Sequence, residues 1–336
     1  MNKISVLGAG SWGTALAILL KNNGHDVILW SALEQEVEDL NRDREHKSKL
    51  PGVHIHDRII ITSDLEYAMK DRDVLVTAVP SSFTRATAHR MQEYITDGQI
   101  VVNVAKGIEE STLYTLSQVI EDELPTANVC VLSGPSHAEE VGRELPTTCV
   151  GGAKDKETAE FLQGIFMSDV FRVYTSPDIL GIEVGAALKN VMALAAGCAD
   201  GLGYGDNTKA AIITRGIAEI TRLGLAMGGK ASTFAGLSGI GDLVVTCASM
   251  HSRNRRAGIL IGQGKTMQEA MDEVQMVVEG VYSAKAAKLL GEKYNVAMPI
   301  AESVCQVLFE NKPAKEAVRE LMIRDKKDES QELSWD

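Results

Sequence analysis

From Met1 to about Thr175, short β-branched and apolar runs alternate with longer segments of helical periodicity. That alternation predicts a parallel α/β sheet. Eight strands are expected, at residues 4–7, 27–30, 59–62, 74–79, 100–104, 129–132, 147–151 and 171–174. Most are continuous apolar runs, as strands covered by helices on both faces should be. Beyond Pro177 the strand signals fade and apolar residues recur at spacings of three and four, as in Leu188, Val191, Met192 and Ala195, or Ile213, Ile217, Ile220 and Leu223. This half should be helical. Glycine-rich breaks at 201–205, 228–229 and 236–241 predict loops between helices. Residues 326–336 are mostly charged or polar, with Leu333 and Trp335 the apolar exceptions, and are expected to fray. The chain thus divides into residues 1–178, 179–325 and a polar tail, 326–336.

Composition narrows the classes. A chain of 336 residues has room for two cores, and 45% hydrophobic with 24% charged residues is ordinary globular usage. The net charge of -12 sets up a field that repels nucleic acid and anionic membranes, so any phosphate must be caught by a local site. Cys130, Cys149, Cys198, Cys247 and Cys305 never form CxxC, which suggests buried reduced thiols and no metal site. Gly8, Gly10 and Gly13 interrupt the only stretch that imitates a secretory signal. The most apolar helical stretch, 191–199, is too short for the roughly 20 residues a bilayer requires. A cytoplasmic protein without membrane insertion is expected.

The first strand runs into Gly8-Ala9-Gly10-Ser11-Trp12-Gly13, and Thr14 to Leu20 then reads as a helix. This is GxGxxG in its functional setting. The first glycine permits the tight turn, the second lets backbone approach a pyrophosphate, and the third allows helix to pack on strand. The helix N-terminus adds free amides for the anion. The expected architecture is therefore α/β, with an N-terminal Rossmann-like, doubly wound, mostly parallel sheet and a C-terminal all-helical domain. The second strand ends Trp30-Ser31-Ala32 without an acidic tip to hold a ribose 2'-hydroxyl, and Glu34 comes late. NAD and NADP both remain open, with NADP slightly favoured.

Ligands of open parallel sheets bind beyond the carboxyl ends of strands, which is where Lys106 and the Gly134-Pro135-Ser136-His137-Ala138 turn fall. Lys189 sits in an otherwise apolar helical segment, where burial lowers an ammonium pKa and makes it usable for proton transfer. A lysine snorkelling from a wet face is the competing reading, and Asn190 beside it fits a simple helix-surface residue. Asp242 follows a glycine-rich turn, and His251-Ser252-Arg253-Asn254-Arg255-Arg256 gathers a cap and guanidinium groups at an apparent helix start, a local phosphate trap.

These segments, with Val104-Ala105-Lys106-Gly107, Ala187-Leu188-Lys189-Asn190, 239–243 and Val277-Val278-Glu279-Gly280, resemble bacterial NAD(P)-dependent glycerol-3-phosphate dehydrogenase over nearly the whole chain. The resemblance implies that Ser11, Trp12, Lys106, Ala138, Arg253, Val277 and Glu279, with the glycines of the turn, line the dinucleotide. It implies that Lys106, Gly134, Ser136, Lys189, Asp242, Ser252, Arg253 and Asn254 meet a triose phosphate. Lys189 matches the proton donor and acceptor, with Asp242 orienting it and a substrate hydroxyl. The implied activity interconverts dihydroxyacetone phosphate and sn-glycerol 3-phosphate for phospholipid synthesis, in a homodimer. A β-hydroxy acid dehydrogenase of related architecture and a non-catalytic NAD(P)-sensing protein are the alternatives.

Overall fold

The computed structural model describes residues 1–326 together with 328 and 329, so most of the expected polar tail lies outside the described residues. Among the described residues, ten strands occur in chain order: β1 (Lys3–Leu7), β2 (Asp26–Trp30), β3 (Glu45–His46), β4 (Leu50–His54), β5 (Ile60–Thr62), β6 (Val74–Thr77), β7 (Ile100–Asn103), β8 (Asn128–Ser133), β9 (Thr147–Gly152) and β10 (Phe171–Ser176). Eight form one sheet in the order β10-β9-β8-β7-β6-β1-β2-β5. The chain winds outward from β1 through β2 to β5, then returns to place β6 on the other side of β1. That reversal opens a crevice above the carboxyl ends of β1 and β6, where a doubly wound sheet holds its ligand.

All pairings in this sheet are parallel except β8 with β9. Residues 134–146, which join those two strands, therefore leave and re-enter the sheet at one edge, keeping Gly134, Ser136 and Ala138 on the ligand side. The eight expected strands are present, with β6 ending at Thr77 rather than Val79. The β3-β4 hairpin was not expected. One strand has two residues and the other contains Pro51 and Gly52, so neither carries an apolar run.

Among the described residues, every element from Ile179 onward is helical. The Ile179–Gly201 helix is the axis of this half, with Val184, Ala187, Leu188, Val191 and Leu194 buried among the surrounding helices. It is 23 residues long, and it and Ala231–Ala248 are long and apolar enough to cross a membrane by length and composition. The expectation of a shorter stretch is thereby corrected. The helix is enclosed by the protein itself, as the core helix of a packed bundle is.

Against it lies the Arg253–Gly262 helix, in backbone contact. A Cβ on Gly197 would stand 2.1 Å from the Arg255 carbonyl oxygen, and one on Gly258 2.3 Å from that of Leu194. Gly201 and Gly262 repeat the arrangement one turn on. Small residues at spacing four on both helices permit this approach. Asp200 then binds Arg255 at 2.8 Å across the seam. The crossing brings the start of one helix, Ser252-Arg253-Asn254, beside the middle of the other, Lys189-Asn190.

The segment expected as a loop at 236–241 is instead a π-helical turn, Leu237–Gly241, continuous with the Asp242–Ala248 helix. Gly239 is needed there because a Cβ would fall 2.0 Å from the Phe234 carbonyl oxygen. The five cysteines are free, and burial pushes the Cys149 thiol up to about 12.

Candidate active site

The phosphate-binding turn has the geometry its glycines require. Gly8 has φ of +123°, and a Cβ there would meet the Ala78 carbonyl carbon at 2.7 Å. A Cβ on Gly13 would fall 1.9 Å from the Gly8 carbonyl oxygen, so helix and strand touch there. Gly10 differs, since a Cβ would meet nothing within 4 Å. It caps the Ser11–Asn22 helix, whose first turn has no acidic residue, so its free amides face open space suited to an anion. This cradle fits a dinucleotide pyrophosphate. Gly10→Ala should leave the melting temperature unchanged while weakening dinucleotide binding at least about tenfold, roughly 1.4 kcal/mol, in a fluorescence titration. Gly13→Ala should lower both.

A cavity of about 590 Å³ extends from this turn into the helical half. Gly10, Ser11, Trp12, Ala138, Val277 and Glu279 line it, as do Lys106, Ser136, Lys189, Ser252, Arg253 and Asn254. Gly8 and Gly13 shape the turn behind it. Gly134 also stands behind the wall, where its carbonyl accepts from Lys106 Nζ at 3.0 Å and Ser136 Oγ at 2.9 Å.

At the inner end, two lysines converge on one carboxylate. Lys189 Nζ donates to Asp242 Oδ1 at 2.5 Å and to Thr246 Oγ1 at 2.7 Å. Lys106 Nζ donates to Asp242 Oδ2 at 2.6 Å. Lys189 is 5% exposed, which excludes the wet-face reading. Its burial, helped by Lys106 and opposed by Asp242, lowers its pKa to about 7. Burial works against the Asp242 carboxylate, but the two lysines outweigh it and hold the group below its usual range. Asp242 is 1% exposed and does not line the cavity, so it orients the lysines from behind. Such a group can hold an ammonium in place and let it exchange one proton with a ligand near neutral pH.

Of the three neighbouring arginines, Arg253 lines the cavity, whereas Arg255 pairs with Asp200 and Arg256 does not reach the wall. The phosphate trap is narrower than the sequence suggested. Ser252 caps its helix, accepting from Arg255 N at 3.2 Å, which leaves its O–H free to donate. Asn254 Nδ2 donates to Asn190 Oδ1 at 2.9 Å, and Asn254 Oδ1 accepts from Gly280 N at 2.8 Å. Asn190 is therefore a buried brace and not a surface residue. Glu279, which begins the Glu279–Tyr294 helix, accepts from Ser81 N at 3.1 Å and joins the two halves over the cavity.

Thr246, His137 and Lys49 are among the site residues that sequence reasoning did not assign. Thr246 stands one turn after Asp242, and its Oγ1 donates back to the Asp242 carbonyl at 2.6 Å, so the i,i+4 spacing was a usable signal. His137 lines the cavity with its ring centroid 5.8 Å from that of His251. Burial and the two lysines keep His137 below its ordinary pKa. Lys49 reaches the cavity from the β3-β4 turn, for which the sequence had no strand signal.

The family described as NAD-dependent glycerol-3-phosphate dehydrogenase matches in both its parts, the N-terminus over residues 3–159 and the C-terminus over residues 178–319. The chain belongs to this family. It is 63% identical over 335 residues to the glycerol-3-phosphate dehydrogenase [NAD(P)+] of Agathobacter rectalis, covering 100% of both chains. It is 61% identical to that of Fusobacterium nucleatum, again over 100% of each. The crystal structure of glycerol-3-phosphate dehydrogenase from Coxiella burnetii superposes with a TM-score of 0.93 at 34% identity, covering 96% of this chain and 99% of that one. The Coxiella burnetii enzyme thus shares the fold of this chain over nearly its whole length.

Proposed function

We propose that the chain interconverts dihydroxyacetone phosphate and sn-glycerol 3-phosphate, with residues 1–178 binding the dinucleotide and 179–325 supplying most of the substrate site. The observation that carries this reading is the Lys106-Asp242-Lys189 cluster at the inner end of the dinucleotide cavity. A bound nicotinamide dinucleotide supplies or accepts the hydride. Lys189 gives a proton to the carbonyl oxygen as the ketone is reduced and takes it back in the reverse direction. Lys106, Ser252 and Arg253 hold the phosphate, and Asp242 keeps both lysines aimed. Family membership and the near-complete coverage of its relatives support the substrate assignment.

Loss of reduced-nicotinamide absorbance on adding dihydroxyacetone phosphate is the expected result. No loss would sink the reading in favour of a sensing protein, and turnover of a β-hydroxy acid alone would favour the other alternative.

We further propose that NADP is the preferred form. Burial works against the Glu36 carboxylate, but His46, Lys49 and Ser31 hold its pKa to about 2. Its charge is therefore already committed, with Ser31 Oγ donating at 2.5 Å and Lys49 paired to it. Glu34 is exposed at the start of the Glu34–Asp43 helix, four residues past β2, whereas the Lys49 ammonium, although paired with Glu36, is 35% exposed and lines the cavity, so it can also meet a 2'-phosphate. Lys49→Ala should raise KM for NADPH about tenfold and leave KM for NADH nearly unchanged. Equal effects on both would remove this preference. By the same family resemblance the enzyme acts in the cytoplasm as a homodimer, and sedimentation of the purified chain tests the dimer.

A further inference from the structure

Glu183 lies six residues before Lys189 on the Ile179–Gly201 helix, is 5% exposed, and takes no part in the chemistry above. A carboxylate removed from water is costly unless donors surround it. Here the donors come from the other half of the molecule. Glu183 Oε1 accepts from Asn103 Nδ2 at 2.8 Å and from Ser117 N at 3.0 Å, and Oε2 accepts from Ser117 Oγ at 2.5 Å.

Asn103 is the last residue of β7 and stands three residues before Lys106. Its amide also closes the turn that follows. Asn103 Oδ1 accepts from Ala105 N at 3.2 Å, and Nδ2 donates to the Ala105 carbonyl at 3.2 Å. A side-chain amide can be turned over, and only one orientation serves Ala105 N. Both oxygens of Glu183 are occupied as acceptors, Oε1 taking the Asn103 amide nitrogen, which leaves Oδ1 on Ala105 N. The turn carrying Lys106 is thereby held to the same rigid helix that carries Lys189.

We propose that Glu183 is a positioning residue: through Asn103 it sets the Ala105-Lys106 turn, so that Lys106 and Lys189 reach the two oxygens of Asp242 together. The inference rests on the reading of Lys106 as part of the substrate site. Burial by itself would explain why a carboxylate here needs donors. It would not explain why a principal donor is the amide that shapes the lysine turn.

Steady-state kinetics with dihydroxyacetone phosphate, in the wild-type and Lys106→Ala backgrounds, tests the proposal. Glu183→Ala should lower kcat/KM on the order of 10²-fold, the scale of a misplacement near 1 Å. Glu183→Gln can still accept from Asn103 Nδ2 and Ser117 N on one oxygen, so it should restore most of that loss. In the Lys106→Ala background Glu183→Ala should cost less than about twofold more, because the lysine it positions is gone. Equal losses in both backgrounds, or a glutamine variant as impaired as the alanine one, would overturn the proposal. A Lys106→Ala enzyme with undiminished turnover would overturn the reading of the site itself, and this inference with it. If Glu183→Ala fails to fold by circular dichroism, Asn103→Ala in the same two backgrounds gives the same decision.

Discussion

Lys189→Ala is expected to lower turnover by about 10²- to 10⁴-fold, the range that a positioned general acid contributes. The protein should remain folded, because the alanine fits an apolar helix and Asp242 keeps Lys106 as its partner. Substrate affinity should fall less than turnover, since the proposed site holds the phosphate through Lys106, Ser252 and Arg253. The pH dependence follows from the same residue. Reduction needs the protonated amine, so kcat for dihydroxyacetone phosphate should decline as pH rises through about 7, the value to which burial lowers Lys189. Oxidation needs the neutral amine and should rise over the same range. A folded alanine variant with near-normal turnover, or parallel pH profiles in the two directions, would remove Lys189 from the proton-transfer step.

Asp242→Ala should damage stability as well as activity. The substitution leaves two lysine side chains converging on an apolar vacancy where each now donates to a carboxylate oxygen, at 2.5 and 2.6 Å. Removing one partner of a buried ionic cluster costs about 3–5 kcal/mol. Against a typical total of about 5–15 kcal/mol, that loss should appear as a clear drop in melting temperature. Asp242→Asn keeps the shape and one acceptor oxygen, so its drop should be smaller while turnover still falls. An alanine variant that melts with wild type would show that the lysines do not depend on this carboxylate.

Much of the first half was legible because its signals are local. Continuous apolar runs mark strands covered on both faces, and β1, the glycine turn and the following helix occupy consecutive residues. The β3-β4 hairpin left no such trace, and Lys49 was lost with it. Its strands are held by packing and by side-chain contacts such as Gly52 N donating to Glu45, not by an apolar pattern. The glycines at 236–241 were read as a loop because glycine permits turns. In the fold they permit a π-helical turn to pass close to Phe234. Likewise Gly197, Gly201, Gly258 and Gly262 were in view as residues but not as a seam. Spacing on one helix cannot say which other helix it meets.

The order of strand, phosphate turn and helix, the helical character of the second half and the presence of a lysine within an apolar segment are all written in local stretches of chain. Those follow from backbone preference and periodicity over a few turns. Which charge that lysine meets depends instead on how distant segments pack together. Asp242 lies 53 residues from Lys189 and 136 from Lys106, and it reaches both because the π-helical turn just before it packs against the Ile179–Gly201 helix at Gly185, where a Cβ would stand 2.7 Å from the Ser238 carbonyl oxygen. The lowered pKa belongs to that enclosure. Desolvation and neighbouring charge act through space, and no local stretch of chain contains them.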